Sequence, residues 1–224
     1  MNGGERLQIA TSGMHCIGSW IARPAGTPKG GVVVAQEIFG VNAHIRSVVE
    51  RFAEAGYVAI APAFFDRLEQ DVELDYDAAG IARGRALIDE LGLDRAVADS
   101  VAAAEAIRSA GRIGVVGFCW GGTVALLAAL RHGLPAVSYY GARNVAHLAA
   151  TPVPLQFHFG ERDASIPAEA VQRHREQLPH AEVHVYPAGH GFHCDQRADF
   201  DAASAALAWR RTLDFLDRHL ANAA

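Results

Sequence analysis

The chain has 224 residues, of which 50% are hydrophobic and 20% charged, and its net charge is −5. That balance excludes disordered, collagen-like and low-complexity proteins, and it leads us to expect one domain over residues 1–224. Lys29 is the single lysine and the arginines are scattered, so the basic patch that nucleic acid demands is missing and no such partner is expected.

The first clear element is Gly30-Gly31-Val32-Val33-Val34-Ala35, a continuous apolar run of the kind a strand buried on both faces requires. Ile45, Val48, Val49 and Phe52 then recur at helical spacing, with Gly56 placed to end the helix. Residues 57–61 form a second apolar run, stopped by Pro62. Residues 64–77 are irregular and acidic; a solvated surface loop is the simpler reading, a wall of a cleft the other. Helical patterns cover about 78–91 and 94–109. A strand at 112–117 runs directly into Phe118-Cys119-Trp120-Gly121-Gly122 and an Ala/Leu-rich helix ending near Gly133, apolar nearly all round and so buried. Strands are expected at 135–140, 153–159 and 182–186, a helix at about 168–178, and a last helix at about 199–219. This alternation predicts an α/β fold: one mostly parallel sheet with helices on both faces. Ligand sites in such sheets lie beyond the carboxyl ends of the strands.

Cys16, Cys119 and Cys194 show no close pairing, which argues against a disulfide framework. Residues 1–13 are polar and lack a signal-peptide core, and no stretch approaches the roughly 18 apolar residues of a membrane helix. We expect a soluble cytoplasmic protein with free thiols, no membrane partner and, by default, a monomer.

Gly117-Phe118-Cys119-Trp120-Gly121 has the form G-x-C-x-G, a cysteine version of the nucleophile elbow. A sharp strand-to-helix turn would aim the sulfur into the cleft and set Cys119 at a helix N-terminus, which favours thiolate. A buried structural cysteine beside a glycine-rich turn fits the same letters. The nucleophile reading gains from the order of its partners along the chain: Asp163 lies just past one strand, and His190, flanked by glycines, just past the next. His190 would act as base toward Cys119, with Asp163 fixing its tautomer. Alone, Asp163 could equally cap the turn before Ile166-Pro167. The backbone N–H groups of Ile38 and Trp120 are the expected oxyanion hole. Glu37 is the odd residue, because a carboxylate there would repel the developing charge. It must point outward or have a specific task.

Together Gln36-Glu37-Ile38-Phe39-Gly40-Val41-Asn42, Gly117-Phe118-Cys119-Trp120-Gly121-Gly122, Tyr139-Tyr140-Gly141, Gly189-His190-Gly191-Phe192 and Arg211-Thr212-Leu213-Asp214-Phe215-Leu216 resemble the dienelactone hydrolase (carboxymethylenebutenolidase) family of α/β-hydrolases, in family order over nearly the whole chain. The resemblance implies a Cys119–His190–Asp163 triad and gives Glu37 a role: it interacts with the cysteine and takes the thiol proton once substrate binds. Like-charge repulsion from Glu37 would keep the resting thiol neutral and protected from oxidation. The implied reaction opens an enol-lactone through an acyl-cysteine, with a small ester or lactone as partner and no metal or organic cofactor. Dienelactone-specific members carry an arginine four residues after the histidine, where this chain has Cys194. Arg197 stands in as a candidate, as do Arg67, Arg83 and Arg85 from the region after the second apolar run. Phe39, Tyr140, Phe192 and His193 are the remaining candidates for contact with substrate.

Other classes remain open at this stage. A carboxylesterase or thioesterase for another small acyl group would keep the triad and lose the carboxylate clamp. A non-hydrolytic ligand-binding or redox-sensing module would need the thiol but not the acid and base. His190, His193, Cys194 and Asp195 have no partner at metal-ligand spacing, so no metal site is expected. No phosphate loop or dinucleotide fingerprint is present.

Overall fold

Two strands precede the first apolar run, β1 (Glu5–Ala10) and β2 (Cys16–Ala22), paired antiparallel with Ile9 opposite Ile17. The sequence reading leaves this hairpin unassigned. Its physical reason is plain: β1 buries only Ile9, and on β2 the buried face alternates Ile17, Ser19, Ile21, so no apolar run forms.

The apolar runs become buried strands β3 (Gly31–Ala35) and β4 (Val58–Pro62), followed by β5 (Ile113–Phe118), β6 (Ala136–Tyr139), β7 (Leu155–Gly160) and β8 (Glu182–Tyr186). They form one sheet in the order β1-β2-β4-β3-β5-β6-β7-β8, in which β3 to β8 are parallel and the hairpin adds antiparallel to β4. The helices are α1 (Ala43–Glu54), α2 (Ala78–Leu91), α3 (Leu93–Ala106), α4 (Trp120–His132), α5 (Ala168–Gln177) and α6 (Ala202–Leu220). This computed structural model describes residues 3–221; the ends of the expected domain, 1–2 and 222–224, lie outside the described residues.

The helix starts follow from local chemistry. Asn42, Asp77 and Asp201 each accept a hydrogen bond from the N–H three residues on, at 3.2, 2.7 and 2.8 Å, so the last helix begins at Ala202 rather than near 199. Helix α4 is buried along nearly its whole length, between α3 and strands β5 and β6. Val32, Val33 and Val34 of β3 are wholly buried, each worth about 1.5–3 kcal/mol as an upper bound.

The acidic segment is more than a solvated loop. Phe64 and Phe65 are buried, Leu74 N–H donates to Phe39 O at 3.0 Å, and Gly40 bridges Glu73. The segment is therefore tied to the turn that follows β3 and brings Tyr76 to Glu37.

Candidate active site

Four side chains of interest follow four parallel strands at their carboxyl ends: Glu37 after β3, Cys119 after β5, Asp163 after β7 and His190 after β8. Cys119 has φ +53° and ψ −117°, a left-handed backbone that a residue with a side chain adopts only under constraint. The constraint is visible in its neighbours. A Cβ on Gly117 would stand 1.9 Å from Gly121 O, and one on Gly121 would stand 2.3 Å from Ala35 O. Only glycine lets β5, α4 and β3 converge this closely. Cys119 N–H is fixed to Tyr139 O at 3.0 Å.

His190 links sulfur to acid. Its Nε2 lies 3.2 Å from Cys119 Sγ and its Nδ1 lies 2.7 Å from Asp163 Oδ2. Asp163 is buried and also accepts the Ser165 N–H at 2.8 Å. Burial disfavours a charged His190, but the hydrogen bonds to Asp163 and Cys119 outweigh it and push the imidazole up to about 10.

A cavity of about 440 Å³ opens over Cys119 and His190. Ile38 and Trp120 line it, as an oxyanion hole requires, and Trp120 opens α4, where backbone N–H groups have no partner within the helix. Ile81, Arg85 and Ile88 cover it from α2, and Arg143 and Ser165 complete it from the loops after β6 and β7. The sequence reading missed Ile81, Ile88, Arg143 and Ser165. Two signals were there: Ile81, Arg85 and Ile88 share one helix face, and Arg143 and Ser165 lie just past strand ends.

Glu37 is buried, and its carboxylate is engaged away from the sulfur. Tyr76 Oη donates to Oε2 at 3.1 Å and Arg197 Nη1 to Oε1 at 3.3 Å, while Cys119 is turned to His190. Arg197 also lines the cavity, with its guanidinium 5.9 Å from the Phe39 ring.

The other expected substrate contacts divide. Phe39 and Arg85 face the cavity. Arg67 does not: it holds the buried Asp99 through Nε at 2.8 Å and Nη2 at 2.7 Å, and it also bonds Thr11, because a carboxylate this deep needs a bidentate partner. Arg83 pairs with Glu69 at the exposed surface. Phe192 and His193 lie in the core rather than the cleft. The Phe192 ring is 5.1 Å from Tyr186, the His193 ring is 5.3 Å from Phe118, and burial holds His193 neutral, well below the usual histidine range. Tyr140 packs under His190, rings 5.1 Å apart, and its fully buried hydroxyl has no partner among the described residues.

An elbow after β5, an acid after β7 and a histidine after β8 on a mostly parallel sheet define an α/β-hydrolase. The model of the dienelactone hydrolase family matches residues 17–220. The carboxymethylenebutenolidase of Pseudomonas putida is 35% identical, covering 95% of this chain and 95% of its own. Carboxymethylenebutenolidase 1 of Cupriavidus pinatubonensis is 32% identical over 95% of this chain and 96% of its own. A crystal structure from Klebsiella pneumoniae that carries the dienelactone hydrolase name superposes with a TM-score of 0.84 at 30% identity, covering 96% of this chain and 98% of the other. The chain belongs to the dienelactone hydrolase family and is a hydrolase acting on esters or lactones. Among the described residues no helix is long and apolar enough to cross a membrane.

Proposed function

We propose that the enzyme opens a small enol-lactone or carboxylic ester through an acyl intermediate on Cys119. The observation that carries this reading is the continuous contact from Cys119 Sγ to His190 at 3.2 Å and on to Asp163 at 2.7 Å, on a strained elbow beside the cavity. The proton shared by Cys119 and His190 sits on Nε2, whose charged form Asp163 stabilises, as the sulfur attacks the carbonyl carbon. The oxyanion sits on the Ile38 and Trp120 N–H groups, each such donor worth about 2.7–4 kcal/mol in the transition state. The C–O bond breaks as the enolate or alkoxide leaves with the proton from His190. Water, deprotonated by His190, then cleaves the acyl-cysteine and releases the acid.

Glu37 and Arg197 supply the coupling to substrate. A substrate carboxylate attracts the Arg197 guanidinium, which releases Glu37 Oε1 from its ion pair. The freed carboxylate becomes a second acceptor for the thiol proton. Arg197 thereby takes the part of the family arginine whose position Cys194 occupies.

The test is hydrolysis of cis- and trans-dienelactone, followed by loss of ultraviolet absorbance, for wild type and Cys119→Ala. We expect turnover in the wild type that disappears in the variant. Cys119-dependent cleavage of aryl esters without dienelactone turnover would keep the mechanism and overturn the lactone, leaving a carboxylesterase or thioesterase. Activity persisting in Cys119→Ala would overturn the covalent scheme. Inertness toward both substrates would favour a thiol-based binding or sensing module.

A further inference from the structure

Glu37 also meets two side chains that acyl transfer does not use. One donor atom each from Glu37, His44 and Cys194 lies within 4.8 Å of the others, and all three residues are buried. They come from the turn after β3, the first turn of α1 and the loop after β8. A carboxylate oxygen, an imidazole nitrogen and a sulfur gathered at one point form a donor set that zinc and cobalt favour.

Hydrogen bonding inside the protein leaves the histidine of this set unsatisfied. His44 is 2% exposed, its Nε2 has no partner among the described residues, and its Nδ1 stands 3.6 Å from Asp195 Oδ1. A buried ring nitrogen without a partner costs free energy that a metal bond would recover. Cys194 is fully buried beside it.

We propose that Glu37, His44 and Cys194 form a binding site for a thiophilic divalent cation, Zn²⁺ or Co²⁺, separate from the Cys119–His190 pair. An ion centred in a triangle of that edge stands about 2.8 Å from each corner, so each donor closes in by less than about 1 Å to reach bonds of about 2.0–2.3 Å. Binding replaces the S–H bond of Cys194 by a metal–sulfur bond and releases that proton to solvent. Thiolate and carboxylate together then balance the two positive charges. Neighbours suit the role: Tyr76 Oη holds Glu37 Oε2 at 3.1 Å, and Asp195 faces His44 as carboxylates face metal-bound imidazoles. A Glu37 held by metal is withdrawn from Arg197 and Cys119, so the cation inhibits hydrolysis without touching the nucleophile. That consequence rests on the role proposed for Glu37; the binding itself does not.

Titration of the full chain with Co²⁺ under anaerobic conditions tests the site. We expect one equivalent to bind with a sulfur-to-cobalt charge-transfer band. The band should vanish in Cys194→Ser, persist in Cys119→Ser, and require at least tenfold more Co²⁺ in His44→Gln. Thermal unfolding without metal identifies a variant that has lost its fold; should Cys194→Ser do so, His44→Gln and Cys119→Ser decide. No band in the wild type, or a band lost in Cys119→Ser and kept in Cys194→Ser, overturns the site. One equivalent of Zn²⁺ should also slow hydrolysis of an aryl ester bearing an acyl-side carboxylate at least tenfold, reversibly with chelator. Metal binding without inhibition would leave the site standing and overturn the part assigned to Glu37.

Discussion

At the scale of single residues, chemistry at this site depends on charges held by a few short contacts. His190 is raised to about 10 although its burial opposes the charge, because Asp163 Oδ2 and Cys119 Sγ face its two nitrogens. The folded-state value exceeds the unfolded value of about 6.5. The stability this provides is therefore complete below about pH 6.5 and is lost as pH rises through about 10. Asp163→Asn keeps the size of the side chain but removes the negative charge and presents a donor to Nδ1. We expect turnover to fall about 10³–10⁴-fold from the wrong tautomer. Urea midpoints measured at pH 6.5 and pH 9.5 should also converge between variant and wild type at the higher pH. Equal separation at both pH values would mean that Asp163 does not raise His190.

At the scale of elements, Arg67 shows how a residue type misleads when its surroundings are unknown. An arginine beyond a strand end suggested a carboxylate clamp, yet its side chain is 6% exposed and grips a fully buried Asp99 from α3. It also bonds Thr11 and Ser12 between β1 and β2, so it ties the hairpin, the turn after β4 and α3 together. Removing it leaves a buried carboxylate alone, so Arg67→Ala should cost about 3–5 kcal/mol of stability in urea unfolding. KM for an aryl ester should stay as it is, and Arg67→Met combined with Asp99→Leu should cost less than the single change. A raised KM would return Arg67 to the cleft. The elements that were legible share one property: their pattern is local. Val32 to Val34, the Gly117–Gly121 elbow and the glycines around His190 declare themselves within a few residues. The β1–β2 hairpin, with half its residues facing solvent, does not. Neither does the meeting of Glu37, His44 and Cys194, which exists only once three distant segments converge. His193 and Cys194, neighbours in sequence, part in the fold: His193 packs against Phe118, and Cys194 meets Glu37 and His44.

At the scale of the whole molecule, the charge of the chain and the charge of its cleft have opposite signs. The net charge is −5, yet Arg85, Arg143 and Arg197 line the cavity above Cys119. Asp89 holds Arg143 at 3.3 Å on the exposed rim, and Glu37 balances Arg197 until a substrate carboxylate displaces it, so Arg85 and the shared Arg143 supply the field that first attracts an anion. A cleft with low-dielectric walls concentrates such a field, so we expect it to favour an acidic ester although the molecule as a whole repels one. Two aryl esters with the same leaving group, one bearing an acyl-side carboxylate and one neutral, separate this effect from chemistry. The acidic ester should show the lower KM. Its advantage should shrink as ionic strength rises from 0.01 M to 1 M, because the screening length falls from about 30 Å to about 3 Å. Arg85→Gln and Arg143→Gln should each raise KM for the acidic ester about tenfold, the loss of one charged hydrogen bond, and leave the neutral ester little changed. Equal salt dependence for the two esters would mean that these arginines do not recognise charge. Substrate preference would then rest on Phe39, Ile81 and Ile88, the apolar part of the same wall.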